Sequence, residues 1–84
     1  ECVPSTLAAE IVGALRVPVI GIGAGPDCDG QVLVLYDVIG LTPEPVPRFA
    51  RDFLAGQGSL HEAVSAYVRA VRDRRFPGPE HCFR

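Results

Sequence analysis

The run Val17-Pro-Val-Ile-Gly-Ile-Gly-Ala-Gly25 constrains this chain more than any other feature. Val17, Val19, Ile20 and Ile22 are too continuously apolar for a strand with one wet face. They predict a parallel strand over 17–22, covered on both sides. The strand leads into a glycine-rich loop over 23–31 that carries Asp27 and Asp29. Gly21, Gly23 and Gly25 leave the backbone bare, so a ligand or another chain segment can approach closely. In α/β proteins ligands gather at the carboxyl ends of parallel strands, so this loop marks where chemistry is to be sought.

The elements on either side have an α/β character. Pro4 suits the first turn of a helix over 4–15, with Leu7, Ile11 and Leu15 recurring along one face. After the loop, the apolar run Val32–Ile39 predicts a brief extended piece and then a short helix at about 35–39, with Gly40 closing it. Pro43, Pro45 and Pro47 impose an extended connection. A helix at about 47–55 is expected, opened by Pro47, faced by Phe49, Phe53 and Leu54, and closed by Gly56. Ser59 and Glu62 form an S-x-x-E capping box for a helix over 60–75, whose stripe is Leu60, Val64, Tyr67, Val68 and Val71. The segment 76–84 is expected to be irregular. One convincing strand and several helices do not make a self-sufficient fold, because the helices lack a sheet to cover. The expectation is a single segment, 1–84, that closes a larger α/β protein, and a first residue other than Met agrees with that.

Composition narrows the chemistry. The net charge of −2 disfavours a nucleic-acid binder, which normally shows a basic stripe. All eight basic residues are Arg, which removes Schiff-base lysine chemistry and the P-loop lysine. Cys2, Cys28 and Cys82 are widely spaced and lack a C-x-x-C pair, so a reduced, cytoplasmic setting is expected rather than a disulfide framework. No apolar run approaches the roughly 20 residues that span a bilayer, and no secretory n-region is visible, so no membrane partner is expected.

The glycine loop lacks dinucleotide spacing. Counting from Gly21 the sixth residue is Pro26, and from Gly23 it is Cys28, so G-x-G-x-x-G is absent. A phosphate nest at the end of a barrel stays open, although Asp27 and Asp29 would repel the anion. So does a purely structural role, in which the glycines permit a tight exit and close packing. Asp27 and Asp29 could be oxygen ligands for a metal or, more simply, turn formers. Asp37, inside an apolar run, must be paired or face a wet cleft. His61, in the first turn of a capped helix, and the Arg72, Arg74, Arg75 cluster read as solvated. His81, beside Glu80 and Cys82, belongs to a docking segment rather than to a catalytic dyad.

Several ordered motifs carry a wider resemblance. They are Glu1-Cys-Val-Pro4, Pro18-Val-Ile-Gly-Ile-Gly-Ala-Gly25, Asp29-Gly-Gln31, Leu33-Val-Leu-Tyr-Asp37, Pro47-Arg-Phe49 and Phe76-Pro77 with Glu80-His-Cys-Phe83. Together they run nearly end to end, and the chain resembles the C-terminal third of the ketopantoate hydroxymethyltransferase family. Tyr36 stands where a His is common, and Cys82 where a Ser is common. The resemblance implies the C-terminal portion of a (β/α)8 barrel of the phosphoenolpyruvate/pyruvate type, working as a cytosolic homodecamer. It implies transfer of a hydroxymethyl group from 5,10-methylenetetrahydrofolate to 3-methyl-2-oxobutanoate, giving ketopantoate for pantothenate synthesis. Mg²⁺ chelated by the 2-oxo acid would stabilise the enolate, with its ligands outside this segment. The family's base is the glutamate of the Glu-Cys-Val-Pro motif, which is Glu1 here, and Gly21, Gly23 and Gly25 become the rim of the substrate site. The isolated segment would be inactive. An alternative is a non-catalytic assembly or ligand-docking piece of an α/β barrel.

Overall fold

A computed structural model describes all residues, Glu1–Arg84. Helix α1, Ser5–Ala14, begins directly after Pro4, whose carbonyl accepts the Ala8 N–H at 3.1 Å. Strand β1 pairs only over Ile20–Gly21, and strand β2 over Gly30–Gln31. The two are parallel, with Ile20 opposite Gly30 and Gly21 opposite Gln31. Helix α2, Leu35–Val38, and helix α3, Leu60–Arg72, follow, and a single 3₁₀ turn spans Pro79–His81. The architecture is therefore a small α/β arrangement around two parallel strands.

The expected strand over 17–22 is shorter than its apolar run, and its cover is incomplete. Val17 is 62% exposed and Ile20 60%. Its partner lies within the segment expected to be loop: Asp29 and Gly30 donate to the Val19 carbonyl, and Val32 donates to Gly21. Backbone pairing, which needs no side-chain preference, makes Gly30–Gln31 a strand. Helix α1 likewise buries Ala8 and leaves Leu7, Ile11 and Leu15 largely exposed. Its apolar stripe has no sheet beside it in this chain.

No helix forms over 47–55. The Phe53 N–H donates instead to the Val38 carbonyl at 2.7 Å, and an Asp52 carboxylate oxygen accepts from the Leu54 and Ala55 amides. Those donors are the ones a helix would have used, and they are already committed. The segment thereby seats Phe53 at the centre of the larger core, with Val38, Ile39, Ala63, Ala70 and Phe76. Phe53, Tyr67 and Phe76 meet edge to face, with ring centroids 5.2–6.0 Å apart.

Helix α3 starts where its capping signal places it. The Ser59 hydroxyl accepts the Glu62 N–H at 3.1 Å, while the Glu62 carboxylate reaches past Ser59 to the Gly58 N–H at 2.8 Å. Its buried face keeps Tyr67 and Val71 of the expected stripe but is otherwise rotated onto the alanines. Ala63 and Ala70 are buried, with Ala66 and Tyr67 packed beside them, while Leu60 and Val64 stay exposed. The alanines let the helix approach the Phe53 and Phe76 rings closely. The helix ends three residues before the expected 75, and Arg74 turns the chain at φ 55°. Tyr67 then ties α3 to the sheet by donating its hydroxyl to the Gln31 carbonyl at 3.3 Å.

Candidate active-site rim

The loop between the strands, 22–29, closes on itself and on the two chain ends. Gln31 donates its side-chain amide to the Gly25 carbonyl at 2.9 Å. An Asp29 carboxylate oxygen accepts the Val19 N–H at 2.8 Å, so Asp29 serves as a turn former here. Arg74 reaches the Pro26 carbonyl at 2.7 Å and braces the far side of the loop. Beneath it, Ala8, Ala24 and Cys28 form a second small core with Val3, Val12 and Val19 around them.

The three rim glycines are buried, and the protein's own atoms fill the space each side chain would need. A Cβ on Gly21 would lie 2.7 Å from Cys28 Sγ, and one on Gly23 2.8 Å from Phe49 Cδ1. A Cβ on Gly25 would lie 2.6 Å from Ser5 Cβ and 3.2 Å from its Cα, at a φ of 87°. The pattern thus has a packing cause: the loop lies against Cys28, Phe49 and Ser5 at once. Gly25→Ala is expected to destabilise the full-length protein by at least about 2 kcal/mol, from the left-handed backbone and the Ser5 overlap together. Denaturant unfolding checks this, and an unchanged midpoint would contradict the placement of Gly25 against Ser5.

Glu1 stands at the carboxyl end of β1. Its neighbour Cys2 donates its N–H to the Ile22 carbonyl at 3.0 Å, one residue beyond the paired strand. Cys2 itself holds a left-handed backbone at φ 53°, which costs a non-glycine residue about 1–2 kcal/mol. Three residues on, Ser5 donates its N–H to the Phe83 carbonyl at 3.1 Å, beside a parallel bridge between Pro4 and Phe83. Glu1 is solvent-exposed, and the Cys2–Ile22 bond sets its backbone next to the end of β1.

The other candidates separate from this point. Asp37 is buried in α2 and accepts a hydrogen bond from the Thr42 hydroxyl, so it is paired. His61 is exposed at the start of α3. His81 is buried, packs tilted against Phe76 with ring centroids 5.0 Å apart, and accepts the Gly78 N–H on Nδ1 at 3.0 Å. Burial holds its pKa below the usual imidazole value, against the opposing pull of Glu80. Burial also pushes the Cys28 and Cys82 thiols up, with nearby carboxylates adding to the effect. Both are therefore protonated at neutral pH and poor nucleophiles. All three cysteines are free, and no three His, Cys, Asp or Glu side chains converge on one point. A cleft of about 510 Å³ opens between the tail and Asp27, lined by Arg74, Arg75 and Arg84 and reaching Ser5 and Phe83. No helix is long and apolar enough to cross a membrane.

The motifs agree with comparison to known proteins. The family profile for ketopantoate hydroxymethyltransferase matches residues 1–79. The chain belongs to the ketopantoate hydroxymethyltransferase family. It is 60% identical over 83 residues to the 3-methyl-2-oxobutanoate hydroxymethyltransferase of Paraburkholderia phymatum, covering 99% of this chain and 31% of that protein. It is 58% identical over the same length to the corresponding enzymes of Burkholderia cenocepacia and Burkholderia mallei, again covering 99% of this chain and 31% of each. The chain thus spans about a third of the length of the curated relatives it matches. Among ketopantoate hydroxymethyltransferase segments, the contacts that sequence reasoning missed here are Phe49 on Gly23 and Phe83 on Ser5. Both residues fall within quoted motifs, but no local pattern ties either to its partner.

Proposed function

We propose that this chain closes the (β/α)8 barrel of a cytoplasmic ketopantoate hydroxymethyltransferase and supplies Glu1 as its base. The observation that carries the reading is the Cys2–Ile22 hydrogen bond, which brings Glu1 level with the carboxyl end of a parallel strand. Barrel enzymes set their reacting groups at that end. In the proposed reaction the Glu1 carboxylate takes the C3 proton of 3-methyl-2-oxobutanoate. The resulting enolate carbon bonds to the one-carbon unit of 5,10-methylenetetrahydrofolate. Tetrahydrofolate leaves, water provides the hydroxyl, and ketopantoate is formed for pantothenate synthesis.

Gly21, Gly23 and Gly25 line the rim only through their backbone, because their side-chain directions are filled. Mg²⁺ does not fit within these 84 residues, since no set of three suitable ligands converges. Its ligands are assigned to the rest of the barrel. Exposed Val17, Ile20, Val32 and Val34 around the short strands support a sheet that continues into that remainder, and the homodecameric assembly rests on the family resemblance alone. The test is product formation by the full-length protein from 3-methyl-2-oxobutanoate and 5,10-methylenetetrahydrofolate. Ketopantoate at a rate comparable to the Paraburkholderia phymatum enzyme is expected. Its absence, with that relative active in the same assay, would overturn the reading.

A further inference from the structure

The tail over 76–84 is anchored to the core at one end and bonded to the Glu1 segment at the other. Phe76 belongs to the main core, and His81 packs against its ring while its Nδ1 accepts the Gly78 N–H. The Cys82 thiol donates to the Gly78 carbonyl at 3.3 Å, which fixes the turn that aims Phe83. Phe83 then takes the Ser5 N–H on its carbonyl, and the Arg48 guanidinium lies 5.5 Å from its ring centroid. Arg48 adjoins Phe49, the residue seated on Gly23. The loop rim, the tail and the start of α1 are therefore held by one connected set of contacts.

Between these anchors sits the strained residue. Cys2 lies in the left-handed region, with its own N–H bonded to Ile22 and the Ser5–Phe83 bond three residues further along. A side-chain-bearing residue stays in that region only when its surroundings over-determine it. Neither bond is made by Glu1 itself, yet the peptide at Cys2 sets where the Glu1 side chain starts.

We infer that the tail, through Phe83, is a positioning strap that keeps Cys2 left-handed and so aims the Glu1 carboxylate; this rests on the proposed role of Glu1 as base. In this arrangement Phe83 acts through the Cys2 peptide and Glu1, so its effect falls on rate more than on binding. Loss of the strap lets Cys2 relax toward ordinary extended backbone, and Glu1 shifts with it.

The test uses the full-length protein ended after Cys82 and, should that fail to fold, the Ser5→Pro variant, which removes the N–H that Phe83 accepts at a first helical position where proline is tolerated. Exchange of the C3 proton of 3-methyl-2-oxobutanoate in deuterated water is followed at saturating and limiting keto acid. The saturated rate is expected to fall roughly tenfold to a hundredfold, as a misplaced catalytic group does, with KM unchanged. Adding Cys2→Gly to the same protein is expected to recover part of that rate, because glycine enters the left-handed region without a Cβ penalty. A purely stabilising tail would show no such rescue. An unchanged rate, a rise in KM that alone accounts for the loss, or no recovery with Cys2→Gly would each overturn the strap. Retained exchange in Glu1→Gln would instead overturn the base assignment, so the two failures are distinguishable.

Discussion

The 84-residue chain by itself is expected to show no cooperative thermal transition in circular dichroism. Its accessible surface is 5560 Å², against about 4,900 Å² for a compact monomer of this mass. Its radius of gyration is 12.9 Å, against about 12 Å for a compact domain of this length. Only 15 of 84 residues are buried, and none of the large side chains is fully enclosed. The main core rests on Phe53 and Phe76 with two alanines, and the second core on Ala8, Ala24 and Cys28. A parallel pair two residues long adds little, since isolated short sheets are marginal in water. Folding stability is a small remainder after chain entropy is offset, and this segment lacks the apolar burial to leave one. Helix α3, capped by Ser59, is expected to give a weak, gradually melting helical signal. A sharp sigmoidal transition would contradict the view that this segment depends on neighbours for its fold.

Parts of this arrangement were legible in the sequence because local chemistry decides them. The parallel character of the Val17–Ile22 run follows from its unbroken apolar pattern, although only Ile20 and Gly21 pair. Ser59 and Glu62 announce the start of α3 because capping is a contact within four residues. The helix expected over 47–55 failed for the opposite reason. Its donors are claimed by the Val38 carbonyl, far away in sequence, and by the Asp52 side chain. Strand β2 was illegible because glycine and glutamine carry no strand preference and only the partner backbone defines it. The stripe of α3 holds at Tyr67 and Val71 but not at Leu60, Val64 and Val68, since Leu and Val outrank Ala in hydropathy, whereas the aromatic rings select the face that allows close approach.

The candidate site divides along the same line. The rim glycines could be read as bare backbone, but Cys28, Phe49 and Ser5 meet them only after the chain has folded. Glu1 entered through a motif resemblance, and nothing in composition or periodicity singled it out. Its position beside Ile22 depends on a backbone bond across 20 residues of chain. Phe83 was read as part of a docking segment, and its contact with Ser5 gives that docking a definite target within the chain.

Glu1→Gln in the full-length protein is the substitution with the largest expected chemical effect. Glutamine keeps the size and most of the hydrogen-bonding reach of glutamate but cannot accept a proton at neutral pH. Positioned general bases contribute about 10²–10⁴-fold, so C3 proton exchange should fall by that factor or more. Keto-acid binding should stay within about twofold, because the lost interaction acts on the transition state and not on the bound substrate. The Gly25 loop and the Cys2–Ile22 bond do not involve the Glu1 side chain, so thermal stability should be little changed.

The measurement that bears most directly on the account is therefore the rate of C3 proton exchange. It is read by NMR from 3-methyl-2-oxobutanoate in deuterated water, with full-length protein and its Glu1→Gln variant side by side. The account predicts rapid exchange by the parent and loss of exchange in the variant with substrate still bound. Exchange at the parental rate by Glu1→Gln would contradict it.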